Sequence, residues 1–100
     1  MSVAKYQIFL KTVERGSFTA AAREMNFTQS GVSHAIGSLE EELGVPLLIR
    51  SHGGVTPTAD GRELMPYFEK MCAMQHQLEQ RAADLRGLET GLVKVALSLI

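Results

Sequence analysis

The sequence predicts a mainly α-helical fold: three short helices, a small β-hairpin and one long final helix, in that order. Three observations carry this. Apolar residues recur at three- and four-residue spacing in three successive segments, closed in turn by Gly16, Asn26 and Gly44. Two β-prone stretches flank Ser51-His52-Gly53-Gly54. A seven-residue apolar repeat then runs from Leu64 to Leu85.

The first helix spans residues 3–15, where Tyr6, Phe9, Leu10 and Val13 form a one-sided face before the glycine stop. Ser17 is a favourable N-cap for the second, whose Phe18, Ala21, Ala22 and Met25 share one face; Asn26 tolerates the left-handed conformation that ends it. Thr28 caps the third, in which Val32, Ala35, Ile36, Leu39 and Leu43 keep the helical period until Gly44, with Pro46 just beyond. Residues 47–50 and 55–58 read as the hairpin strands, the second confined to an edge by Pro57. From Thr58 to about Leu88, Leu64, Phe68, Met71, Gln75, Leu78, Ala82 and Leu85 fall on alternating four-three spacing, a heptad seam with one polar member. Such a helix is roughly 45 Å long, more than the preceding residues can cover, so the seam calls for a second chain. Pro66 predicts a kink or a weakened first turn, and Gly87 and Gly91 predict loosening before Leu92–Ile100, which reads as a strand without a partner and hence as the start of a further unit.

At 100 residues the chain is one small domain with an extension, and 45% apolar against 21% charged residues excludes a disordered chain. A net charge of −1 means that affinity for an anionic partner must come from local placement. Residues 1–62 are themselves neutral, with Lys5, Lys11, Arg15, Arg23, Arg50 and Arg62 against Glu14, Glu24, Glu40, Glu41, Glu42 and Asp60. The lone Cys72 forms no internal disulfide and no secretory leader opens the chain, which predicts a cytoplasmic setting; no apolar run is long enough for a membrane span. His52 and His76 lack ligand-spaced neighbours, and no nucleophile–base or paired-carboxylate arrangement stands out, so neither metal, cofactor nor enzymatic activity is expected.

Two short helices joined tightly and followed by a hairpin form the pattern of a winged helix-turn-helix, in which one helix braces a second that projects into the DNA major groove. At about 100° per residue, Gln29, Ser30, Ser33, His34 and Gly37 occupy an arc of the third helix separate from its apolar arc. Gln can pair bidentately with adenine, Ser can donate or accept, and Gly37 removes bulk that would hold the helix off the groove floor. No acid lies near the positive N-terminal end, whereas Glu40, Glu41 and Glu42 sit at the other end, which should point away from DNA or form a solvated face.

The strings Gly16-Ser17-Phe18-Thr19-Ala20-Ala21-Ala22, Thr28-Gln29-Ser30-Gly31-Val32-Ser33 and Leu39-Glu40-Glu41-Glu42-Leu43-Gly44-Val45, with Leu47, Arg50 and Thr58-Ala59-Asp60-Gly61, resemble the N-terminal DNA-binding domain of a LysR-type transcriptional regulator over about residues 3–90. The resemblance implies a winged helix-turn-helix domain at residues 1–58 (helix-turn-helix about 18–37, wing about 47–58) and a dimerisation linker helix at 59–90. Residues 91–100 would open a C-terminal domain that senses a small-molecule effector. It puts Gln29, Ser30, Ser33 and His34 at the major groove and Arg50 near the flanking backbone, with Thr19, Thr28 and Gly37 completing the candidate DNA-binding set. The chain departs from the family pattern at Ser30, where proline is frequent, at His34 and Gly53, where arginine is frequent, and at Pro57, where leucine is. The expected partners are double-stranded DNA, read as a near-palindromic site by a homodimer or a higher homo-oligomer, and the effector. The alternative is a winged-helix protein-interaction module whose heptad helix recruits a different protein.

Overall fold

The computed structural model describes residues 3–98 of the chain, with side chains for residues 3–88. Helices α1 (Val3–Arg15), α2 (Phe18–Met25) and α3 (Gln29–Leu43) precede strands β1 (Leu48–Ser51) and β2 (Gly54–Pro57), and α4 (Ala59–Ser98) ends the order. The mainly α, winged helix-turn-helix architecture is the expected one, and its caps are local. Ser17 accepts from the Ala20 N–H at 3.1 Å and Thr28 from that of Gly31 at 3.0 Å. Asn26, at φ 61°, turns left-handed and its N–H reaches the carbonyls of Ala22 and Arg23, so α2 stops and α3 starts with only Phe27 between the two caps.

Two buried clusters hold the helices together. Ile8, Ala22, Val32 and Ile36 join α1, α2 and α3, so the buried arc of α3 is the one its periodicity marks. Tyr6, Phe9, Leu39, Leu47 and Phe68 form the other, where the Phe68 ring stacks on Tyr6 at 4.8 Å and meets Phe9 edge-on at 5.4 Å. Phe68 is 3% exposed, and Leu64 is half-buried against the same cluster. Both therefore leave the expected inter-chain seam, because α1 covers the first turns of α4. The apolar stripe that α4 does expose runs through Tyr67, Met71, Met74, Leu78, Leu85 and Leu88, roughly 50° around the helix from the expected seam at 100° per residue.

The antiparallel strands pair Leu48 with Pro57, Ile49 with Thr56, Arg50 with Val55 and Ser51 with Gly54. Each strand sits one residue from its expected position, leaving His52-Gly53 as the turn. Leu47 is fully buried in the core instead of opening the strand, and Thr58 caps α4 instead of closing the hairpin. The wing is fixed at both ends. Val55 N–H donates to the Gly16 carbonyl at 3.0 Å, and Glu40 Oε2 accepts from the N–H groups of Leu47 and Leu48 at 2.6 and 3.3 Å. Thr58 ties the wing to α4: its N–H donates to the Leu47 carbonyl, its hydroxyl to that of Pro46 at 2.7 Å, and the same hydroxyl accepts from Gly61.

α4 passes through Pro66, Gly87 and Gly91 without a break in its helical span and continues to Ser98. The strand expected from Leu92 is thus helix as far as that residue, and positions 99 and 100 lie outside the described residues. A single strand would leave its backbone groups unpaired, whereas a helix closes each bond within itself. The molecule is elongated, with extents of 69 × 25 × 19 Å.

Candidate nucleic-acid interface

The outward arc of α3 is uncovered: Gln29, Ser30, His34 and Gly37 are exposed and Ser33 is half-buried at its edge. α3 begins with no acidic residue in its first turn, so its free N–H groups and positive dipole end face solvent beside this ridge. Thr28, the cap, lies 3.4 Å from the Ser30 hydroxyl, and Thr19 donates from α2 to Gln29 Oε1 at 3.3 Å.

Arg50 reaches the same ridge from β1. Its Nη2 donates to Ser33 Oγ at 2.8 Å and its guanidinium lies over the Phe18 ring, 4.5 Å from the centroid. A recess of about 300 Å³ opens where α2, α3 and the wing meet, lined in part by Phe18, Thr19, Gln29 and Arg50. The fold thereby gathers Thr19, Thr28, Gln29, Ser30, Ser33 and Arg50 into one patch, with His34 and Gly37 further along the helix. Phe18 is the member that sequence reasoning missed. Its position on the apolar face of α2 gives no sign of a cation 32 residues away.

The neutral charge count is sorted by place. Lys5 pairs with Glu42 and bonds Ser38 at 2.7 Å, while Lys11 and Arg15 converge on Glu24, and Lys11 also reaches Glu14 at 2.9 Å. The hydrogen bond from Lys5 holds the Glu42 carboxyl below its ordinary pKa, and those from Arg15 and then Lys11 do the same for Glu24. Glu40 is half-buried on the backbone at the base of the wing. The acidic run is therefore more than a solvated face, since two of its three members tie elements together. Within residues 3–62, Arg23, Arg50 and Arg62 stay outside these ion pairs, and Arg50 reaches the ridge.

Along α4, Met71, Met74, Gln75 and Leu78 form with Val3 an apolar groove of about 340 Å³. Gln75 Nε2 donates to Glu79 at 3.1 Å, which leaves Oε1 as the inner end of the amide, buried and without a hydrogen bond. Cys72 is half-buried beside the core, where desolvation pushes its thiol pKa up, away from a reactive thiolate. No group of histidine, cysteine and carboxylate side chains suited to a metal occurs among the described residues, and none of their helices is long and apolar enough to cross a membrane.

Residues 3–62 match the model of the bacterial regulatory helix-turn-helix proteins of the lysR family. The HTH-type transcriptional regulator YvbU of Bacillus subtilis (strain 168) is 36% identical over 95% of this chain and 33% of its own length. The HTH-type transcriptional regulator CzcR of Bacillus anthracis is likewise 36% identical, over 95% and 33%. The chain thus spans about a third of the length of these relatives. Among solved structures, the complex of the CbnR DBD with DNA superposes with a TM-score of 0.79 at 27% identity, covering 85% of this chain and 98% of that one. The BenM DBD bound to catB site 1 DNA gives 0.79 at 32% identity, covering 85% and 96%. A braced helix with a bare polar ridge, a docked wing and the matching family pattern agree: the chain belongs to the lysR family of bacterial regulatory helix-turn-helix proteins.

Proposed function

We propose that this chain is the sequence-reading part of a transcription regulator, with α3 in the major groove of double-stranded DNA. Gln29, Ser30, Ser33 and His34 face base edges, Gly37 allows close approach, Thr28 and Arg50 hold the flanking phosphates, and Thr19 stands behind Gln29 at the interface. The carrying observation is the uncovered ridge of α3, small and hydrogen-bonding, lying opposite the arc that the core buries. The DNA complexes of CbnR and BenM, which share the fold, support DNA as the partner.

Two copies pair through α4, with Met71, Gln75, Leu78, Ala82 and Leu85 of the heptad run joined by Tyr67, Met74 and Leu88. Support comes from the exposed apolar stripe and from the groove whose Gln75 carbonyl lacks a partner. A two-fold dimer implies a near-palindromic operator, and pairs of dimers follow if further segments associate. Because the relatives are about three times longer, the remainder of the polypeptide is assigned to a domain that senses a small effector, the whole protein acting in the cytoplasm.

Selection of bound sequences from a random DNA pool tests the reading. The expected result is a two-fold-related motif, with binding that weakens as salt rises by a log-log slope of about 0.9 per phosphate contacted. Gln29→Ala or Ser33→Ala should cost about 1–3 kcal/mol on the selected site and relax its sequence preference. An equal loss on every sequence would remove these residues from base reading.

A further inference from the structure

Gln29 and Ser33 each carry both donor and acceptor capacity, so residue type alone leaves open which base edges they read. The fold decides it from behind the ridge. Thr19 Oγ1 donates to Gln29 Oε1, which engages the carbonyl end of that amide on the α2 side and leaves its amino group as the end offered to an outside partner. Arg50 has only donors, so the 2.8 Å bond from its Nη2 makes Ser33 Oγ the acceptor and leaves the hydroxyl proton for an outside partner. Arg50 is itself steadied on the Phe18 ring, and its remaining N–H groups stay available to a phosphate.

We propose that Thr19 and Arg50 act as positioning residues that fix Gln29 and Ser33 as hydrogen-bond donors toward the major groove. At the base pairs these two side chains face, the protein then selects acceptor edges, guanine N7 and O6 or thymine O4. It disfavours cytosine, whose amino group is a donor, and adenine, whose N6 amino group meets a second donor. This reverses the preference of an unrestrained glutamine, which pairs donor and acceptor together with adenine. The inference rests on α3 occupying the major groove as proposed above.

The test is selection from a random pool with the full chain as wild type, Gln29→Ala, Ser33→Ala, Thr19→Val and Arg50→Lys. The column that Gln29→Ala relaxes identifies the Gln29 base pair. Wild type should show guanine or thymine there. Thr19→Val, an exposed change on α2, should move that column by about tenfold toward adenine, within the discrimination of one bidentate contact. Arg50→Lys keeps the charge and should relax the column that Ser33→Ala identifies while leaving the Gln29 column alone; a Ser33 column unmoved by Arg50→Lys overturns the positioning role of Arg50. A probe on unaltered protein is 7-deazaguanine, which removes the N7 acceptor from selected guanines and should weaken binding there by about tenfold. Adenine in the wild-type Gln29 column, or a column unmoved by Thr19→Val, overturns the donor assignment and leaves base reading by α3 intact. A wild type that selects no sequence overturns both.

Discussion

Gly54 and Gly37 occupy opposite kinds of position. Gly54 has φ +126°, and a Cβ there would collide with the Gly16 carbonyl oxygen that holds the wing against the α1–α2 turn. Gly54→Ala should lower stability by about 1–3 kcal/mol, measured by urea unfolding, through strain and loss of that docking. Gly37 is exposed within α3, and a methyl group added there would meet nothing within 4 Å, so Gly37→Ala should raise stability by about 0.5–1 kcal/mol. The same methyl stands on the reading ridge, so DNA affinity in a filter-binding assay should fall while the melting temperature rises. Glu40→Ala strips the two N–H groups at the base of the wing of their carboxylate and should cost about 1–3 kcal/mol, a loss out of keeping with a solvated acidic run.

At the scale of elements, α1 is held to its neighbours by Lys5–Glu42 and by Lys11 and Arg15 on Glu24. Glu24 and Glu42 have folded pKa values below the ordinary 4.5, so their contribution is complete above about that pH and is lost as pH falls through the depressed folded values. Melting followed from pH 6 down to pH 3 should show a falling midpoint, and the Glu24→Gln, Glu42→Gln double variant should show a shallower fall; equal slopes would deny these pairs a role. The first three helices and their ends were legible because caps act within a few residues, as at Ser17, Asn26, Thr28 and Gly44, whereas the far end of α4, with no such cap to mark it, was not. The wing came out one residue displaced because Leu47 answers to Tyr6, Phe9 and Phe68, distant in the chain. The same cause rotated the exposed stripe of α4, since the heptad count cannot know that α1 claims Leu64 and Phe68. The ridge of α3 was legible from residue angles, but its Thr19 and Arg50 partners were not, because they come from α2 and β1.

For the whole molecule, one pair of substitutions separates the two uses of α4. Phe68→Ala should destabilise the head by about 3–5 kcal/mol, the cost of emptying a buried aromatic site. Leu78→Asp, at a position 68% exposed, should leave the unfolding of the head nearly unchanged, yet turn a dimer into a monomer in sedimentation and weaken operator binding. Monomeric Phe68→Ala with a stable head would return that residue to the seam. The extended shape gives weight to the Thr58 joint, where two hydrogen bonds to Pro46 and Leu47, just ahead of β1, and a third that caps α4 lock the root of a helix about 60 Å long to the base of the wing. A shaft clamped so close to its tool has no slack. In the proposed pair, a twist applied at the far end should swing the reading edge as one piece, so the distance between operator halves should follow how two shafts cross and not a pliable elbow.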